Sequence, residues 1–218
     1  MKIILISASP RKKDSRTLAL AKNVLLGCKE KGAQTEIVHL RDFRVEFCRH
    51  CEFCHKKILC CPIKDRIMAL AKKLLRADGI IFATPNYINQ VTGSLKTLFD
   101  RYSHFIHCKR FLGKYIAAVV TSGSGYDIPV LRYLKYYSIL CGGQFSGGIY
   151  SRQDKIKENI FEAIKLGKKL VSDIQKIRCY PGQLKRIEKG KQHFKRVIQA
   201  HKRDWKEEYL YWQEKGWL

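Results

Sequence analysis

The chain has 218 residues, 43 Lys/Arg against 19 Asp/Glu, and nine cysteines. That length suits one domain with an extension, and no run of about 18 apolar residues is present to span a membrane. A net charge of +24 favours acidic partners or anionic cofactors. The first apolar run starts at residue 2 with no charged-then-apolar leader before it, which reads as a cytoplasmic protein. In that compartment nine cysteines point to metal or redox chemistry over disulfides.

The apolar run at Ile3–Ile6 is too short for a helix and suits a strand buried on both faces. A polar turn follows. From Thr17 the period becomes helical to about Lys31, with Leu18, Ala21, Leu25 and Cys28 on one face. Gly32 stops that helix, and residues 35–40 read as a second strand. A long irregular stretch covers 41–62, then helical spacing resumes over 65–76 through Ile67, Leu70 and Leu74. A third buried strand spans 80–83 and ends in Thr84-Pro85-Asn86-Tyr87. Leu95, Leu98, Phe99 and Tyr102 mark the next amphipathic helix. A fourth strand over 115–120 ends at Thr121-Ser122-Gly123-Ser124-Gly125-Tyr126-Asp127. A helix over 129–140, a weaker fifth strand over 144–150 containing Gly147-Gly148, and a long helix over 156–174 complete the pattern, with Ile160, Ala163, Ile164 and Leu170 facing inward. Five strands alternating with helices predict an α/β, doubly wound parallel sheet with helices on both faces.

In such sheets ligands bind beyond the carboxyl ends of the strands, and three loops leave strands at that edge: 9–17, 84–88 and 121–127. In the first, Ser9, Ser15 and Thr17 bring short donors to a helix N-terminus, and Arg11 adds a forked cation. The turn lacks a Gly-Lys-Ser/Thr ending and has no glycine, so it is neither a P-loop nor a dinucleotide fingerprint. A phosphate monoester held by hydroxyls fits better, which points to a mononucleotide such as FMN. Pro85 and Tyr87 suit a flat heterocycle, and Gly123 and Gly125 allow close backbone approach to a ring.

Five of the nine cysteines fall within Cys48-x2-Cys51-x2-Cys54-x5-Cys60-Cys61-Pro62. Three thiolates at steps of three, with a fourth after a short excursion, follow the logic of a ferredoxin-type run and support one [4Fe–4S] cluster. Zinc with His50 or His55 as a ligand, or a loop of free thiols, are the rivals. Spacing leaves Cys60 and Cys61 in competition for the fourth position. Cys28, Cys108, Cys141 and Cys179 read as buried structural thiols.

Ser9-Pro10-Arg11 with Ser15 and Thr17, the cysteine run, residues 83–87, Gly93-Ser94-Leu95-Lys96 and Asp100-Arg101 together resemble the flavodoxin-like NAD(P)H-dependent FMN reductases, and are similar in particular to their iron–sulfur flavoprotein branch. The resemblance covers about residues 1–175 and an aromatic ending from Tyr209 to Trp217. It implies a flavodoxin-like fold binding FMN, assembled as a dimer or tetramer. It also implies that Ser9, Arg11, Ser15 and Thr17 hold the phosphate. Pro85, Asn86, Tyr87, Thr121, Ser122, Gly123 and Gly125 would surround the isoalloxazine, and Cys48, Cys51, Cys54 and Cys60 would hold the cluster. The chain departs from the family at Asp14 and Arg16, where glycine and asparagine are common, and in the extra thiol of Cys61.

The expected domains are 1–175, with the Cys-rich loop 48–61, and a basic helical extension over 176–218. The extension carries twelve Lys/Arg and five Asp/Glu. Its Phe194, Val197, Ile198 and His201 mark one face and Trp205, Tyr209 and Trp212 another, read as packing on the parent domain or on a neighbouring subunit. The functional expectation is an FMN-dependent oxidoreductase that passes electrons from NAD(P)H or reduced ferredoxin, through FMN and a [4Fe–4S] cluster, to a small acceptor. It requires no acid or base side chain. A non-catalytic FMN-binding module and a zinc-bearing nucleic-acid adaptor are the other classes considered. Dispersed Lys/Arg and the lack of a recognisable nucleic-acid motif weigh against the last.

Overall fold

The computed structural model describes residues 1–11 and 13–218. Among them, strands β1 (Lys2–Ser7), β2 (Gln34–His39), β3 (Gly79–Pro85), β4 (Tyr115–Ser122) and β5 (Gln144–Arg152) form one sheet. Its order is β2-β1-β3-β4-β5 and every pairing is parallel. That order is the flavodoxin-like one, with the direction of winding reversing between β1 and β3.

The apolar runs are continuous because both faces are covered. Ile4, Ile6, Ile80, Phe82, Ile116, Ala118 and Val120 point into one core, and Ile3, Leu5, Ile81, Ala83, Ala117 and Val119 into the other. The first core is closed by α3 (Ile67–Leu75), α4 (Gly93–Arg101) and α6 (Ile128–Leu140), the second by α1 (Arg16–Glu30) and α7 (Ile160–Gln175). The faces expected of α1, α3 and α4 are the buried ones. Helices α1 and α7 touch backbone to backbone. A Cβ on Gly27 would lie 2.0 Å from the Ile164 carbonyl oxygen, and one on Gly167 would lie 2.0 Å from that of Val24.

Some expectations shift. The long segment opens with a separate 3₁₀ turn (Ile156–Asn159); Ile160, the first residue of α7, is exposed, and Leu166 lies inward beside Ala163 and Leu170. The fifth strand reads weakly because it carries a bulge. Ser146 is skipped in the pairing between Ile116–Phe145 and Ala117–Gly147, and Gly147 adopts φ +153° to make the step. The irregular stretch contains a short helix, α2 (Phe53–Lys56), and a further one, α5 (Ser103–His107), follows α4.

The C-terminal segment forms α8 (Pro181–Ala200) and α9 (Lys206–Glu214). Ile198, Trp205 and Trp212 are buried in a third cluster with Cys108, and Ile58 and Phe194 pack against it. The aromatic face therefore lies on the parent domain of the same chain. At the edge strand, the Gln183 amide accepts from Phe145 N (2.7 Å) and donates to Phe145 O (3.0 Å). Among the described residues no helix is long and apolar enough to cross a membrane.

Candidate functional site

The carboxyl edge of the sheet carries an open cavity lined by Ser9, Arg11, Ser15, Thr17, Pro85, Tyr87 and Thr121, together with Arg16 and Gln153. The three turns are tied to each other. Ser15 Oγ accepts from Leu18 N (3.0 Å) and caps α1, so the open N–H groups of its first turn face the cavity. The Thr17 and Thr121 hydroxyls are 2.6 Å apart, joining the first turn to the third. Thr92 closes the second turn, donating from N to Thr84 Oγ1 (3.2 Å) and from Oγ1 to Ala8 O (3.1 Å). Lys12, inside the first turn, lies outside the described residues.

Four expected residues stand apart from this lining. Asn86 locks the second turn to the third, donating from N to Thr121 O and from Nδ2 to Tyr126 O (2.7 Å) and Asp127 Oδ1 (3.3 Å). Ser122 Oγ accepts from Gly125 N at 2.7 Å, and Gly125 lines a separate cavity with Arg152. Neither Ser122 nor Gly123 is among the residues around the rim cavity. Asp127 is fully buried at the foot of this network. Burial pushes its carboxyl up, against the hydrogen bonds of Ser122 and Asn86.

The cysteine stretch lines a second cavity. Cys48, Cys51, Cys54 and Cys61 are among its walls, with Arg101 and Ser103. Of the two competing thiols, Cys61 lines this space and Cys60 does not. The Arg101 guanidinium reaches Cys61 Sγ from Nη2 at 3.2 Å and Glu46 O from Nη1 at 2.8 Å. It also forms a forked pair with Asp65, at 2.6 and 3.1 Å, with both side chains almost fully buried. Burial alone would raise the Asp65 carboxyl, but bonds from Arg101 and the Ile67 amide hold it below its usual range. The loop runs through three non-glycine residues at positive φ, His50 (+49°), Glu52 (+56°) and Leu59 (+58°). Each such residue costs of order 1–3 kcal/mol and persists only where its surroundings impose it.

Part of that surrounding is α9. Glu208 is fully buried and accepts from His55 Nδ1 at 2.7 Å and His107 Nδ1 at 3.0 Å. Glu207 accepts from Ile58 N at 2.7 Å, and the Trp205 indole donates to Glu52 at 3.1 Å. The imidazole of His55 stacks on His107 and lies against Trp205, with centroids 4.7 and 4.6 Å away. Burial disfavours its charge, yet bonds with Cys54 and Glu208 push its pKa up to about 10. The remaining cysteines divide. Cys28, Cys108 and Cys141 are buried, with thiols pushed up by desolvation, whereas Cys179 is exposed, contrary to expectation, on the turn before α8.

Residues 1–150 match the model of the NADPH-dependent FMN reductase family. The chain belongs to that family. Within it, the chain is similar to iron–sulfur flavoproteins. It is 30% identical to one from Archaeoglobus fulgidus over 159 residues, covering 67% of this chain and 79% of the relative. It is 36% identical to one from Methanocaldococcus jannaschii over 149 residues, covering 68% and 65%. A second protein of that name from A. fulgidus is 28% identical over 224 residues, the whole of both chains. A further A. fulgidus relative, 37% identical, has only 60% of its length covered, so the chain spans less than two thirds of that relative and of the M. jannaschii one. Among solved structures, a flavone reductase shares the fold with a TM-score of 0.67 at 19% identity, covering 81% of this chain and 64% of that one.

The donor sets suit the groups that the family name and the relatives' names bring to mind. Hydroxyls, a guanidinium and a helix N-terminus around one cavity are what a phosphate monoester requires. Four thiols line the other, with a buried cation against one of them, a donor set compatible with thiolate ligation of a cluster. Sequence reasoning missed Gln153, although the parallel topology brings the end of every strand, β5 included, to the same rim. Arg101 was noted only as part of a motif. Asp65, Glu207 and Glu208 carried no signal of their own.

Proposed function

We propose that this member of the FMN reductase family is an FMN-dependent oxidoreductase, with FMN in the rim cavity and a [4Fe–4S] cluster in the cysteine cavity. Reduced ferredoxin or NAD(P)H is the donor and a small molecule the acceptor. The observation that carries the reading is the convergence of Ser9, Arg11, Ser15, Thr17, Pro85, Tyr87 and Thr121 on one cavity at the carboxyl edge. FMN, when bound, takes up a hydride or single electrons and hands them on, and a cluster supplies electrons one at a time. The chain's own part is to bind, orient and shield. Ser9, Ser15, Thr17 and Arg11 would grip the phosphate, Pro85 and Tyr87 would lie along the ring, and the Asn86 lock would hold its two loops at fixed spacing.

Cys48, Cys51, Cys54 and Cys61 would hold the cluster. Cys61 replaces Cys60 in the proposed set, because it stands in the cavity wall with Arg101 against its sulfur. Exposed Arg49, Lys56, Lys57 and Lys64 surround this loop, which suits an acidic electron carrier. The proposal includes a cytoplasmic homo-oligomer, a dimer or tetramer. Anaerobically purified protein should quench the fluorescence of added FMN and show iron–sulfur absorption. Reduced ferredoxin should then reduce it, at a rate that falls as salt rises. Failure to quench FMN would overturn the flavin reading. Rapid reduction by NADPH in metal-free protein would overturn the cluster route.

A further inference from the structure

The C-terminal segment lies beyond the residues that match the family model, yet it reaches the cysteine loop at four points. Glu208 bridges His55 and His107, Glu207 receives the Ile58 amide, Trp205 donates to Glu52, and the Trp205 ring lies against His55. Each partner has a consequence for the loop. Glu52 and Leu59, on either side of α2, are held at positive φ, and His55 follows Cys54 directly. Glu208 therefore anchors, through His55, the short helix α2 that also carries Cys54 to the cavity wall.

A carboxylate only accepts, so each Nδ1 carries the proton that Glu208 receives, one per oxygen. The donor atoms of these three groups all lie within 4.8 Å of one another. Both imidazoles nevertheless already have the carboxylate as partner, and the bridge is complete as hydrogen bonds. A buried carboxylate between two ring N–H groups is also strongly directional, because leaving any of the three unpaired in this apolar cluster is unfavourable.

We propose that Glu208, with Glu207 and Trp205, forms a C-terminal clasp that preorganises the cysteine loop. Glu208 is then a positioning residue for Cys54, acting through His55. The clasp draws its functional meaning from the cluster reading above, but its geometry is a property of the chain itself. It gives the loop its shape before any cluster arrives, and it retains the loop afterwards. Partners of this kind, one layer out from the ligands, commonly change metal affinity when removed.

The test uses the full-length chain carrying Glu208→Gln, prepared anaerobically beside the wild type. Loss of iron and acid-labile sulfide to a chelator should accelerate about tenfold or more, and the midpoint potential of the remaining cluster should shift as the loop around Cys54 loosens. FMN affinity should stay within about twofold, since the rim turns do not depend on α9. Chelation rate and potential equal to the wild type would overturn the proposal. If the wild type takes up no iron, the cluster reading is what fails, and the clasp is judged by hydrogen exchange in the metal-free protein. Amides over 52–58 should then exchange about tenfold faster in the variant, and unchanged exchange would overturn it. If Glu208→Gln no longer binds FMN, Trp205→Phe and Glu207→Ala, which each remove a single hydrogen bond to the loop, replace it with the same readouts and the same criteria.

Discussion

The rim turns and the cysteine loop are held in opposite ways. The rim turns inherit their positions from buried strand ends. Ser9, Pro85 and Thr121 each lie within two residues of a strand end or inside it, so the sheet fixes their spacing and short local bonds finish the shape. The cysteine loop has no such frame. It is held from outside by Arg101 and Asp65 and by the Trp205–Glu208 clasp. Helix α4 joins the regimes. It starts just after the second rim turn and ends at Arg101, a rise of roughly 12 Å for its nine residues. The difference teaches that a binding site on strand ends tolerates the loss of one contact, whereas a site on a loop depends on remote side chains for its existence.

The largest contrast separates two adjacent thiols. Cys61→Ser should abolish cluster uptake while Cys60→Ser keeps it, read as iron and sulfide per chain after anaerobic reconstitution. Equal loss in both would remove the distinction.

Next comes the buried pair that holds the loop. Asp65→Asn leaves the Arg101 cation in the interior without a counter-charge, a loss of about 3–5 kcal/mol to be measured by urea unfolding, with new protease cleavage within 44–66. The pH dependence has a definite sign. The Asp65 carboxyl is held below its usual value of about 3.9 in the folded chain. Its stabilisation is therefore fully present above that value and is lost as pH falls through the lower, folded value. The wild type and Asp65→Asn should thus converge only in acid below pH 4. A gap that widened there would contradict the assignment.

Gly167→Ala probes the sheet-borne half. The added methyl meets the Val24 carbonyl of α1, and overpacking of this kind costs about 1–3 kcal/mol. Thermal unfolding should shift downward while cluster uptake at low temperature stays normal. The smallest effect belongs to a single rim contact. Ser15→Ala removes the α1 cap, at about 1 kcal/mol of stability. FMN binding should weaken by about tenfold, the equivalent of one charge-assisted hydrogen bond of about 1.5 kcal/mol. Fluorescence quenching checks both the drop and the survival of the site.

What could be read from the amino-acid order follows the same division. The strands at Ile3–Ile6, Ile80–Ala83 and Tyr115–Val120 are uninterrupted apolar runs, and the rim turns sit where such runs stop, so sheet, topology and rim followed from local pattern. Ile160 shares the helical phase of Ala163 and Leu170, yet as the first residue of α7 it stands exposed at the end of that face. Cys179 was grouped with the buried thiols on residue type alone, although the Cys179-Tyr180-Pro181 turn lies at the surface. The clasp stayed hidden for a deeper reason. His55 and Glu208 are 153 positions apart, and an acidic pair in the first turn of a helix looks like ordinary helix-dipole compensation. Spacing between cysteines also could not separate Cys60 from Cys61; the guanidinium of Arg101, forty residues away, is what distinguishes them.

The Gln183 side chain, which offers both a carbonyl and an amide to Phe145, imitates the peptide group of a sixth strand. β5 is the outermost strand on its side, and an outermost strand is a template on which another chain can polymerise. By occupying the first pairing position with a side chain that leads into a helix, the fold blocks zipper-like growth at that end. The bulge at Ser146 then twists the next step away from straight pairing. The segment that steadies the thiols thus also guards the sheet against self-assembly.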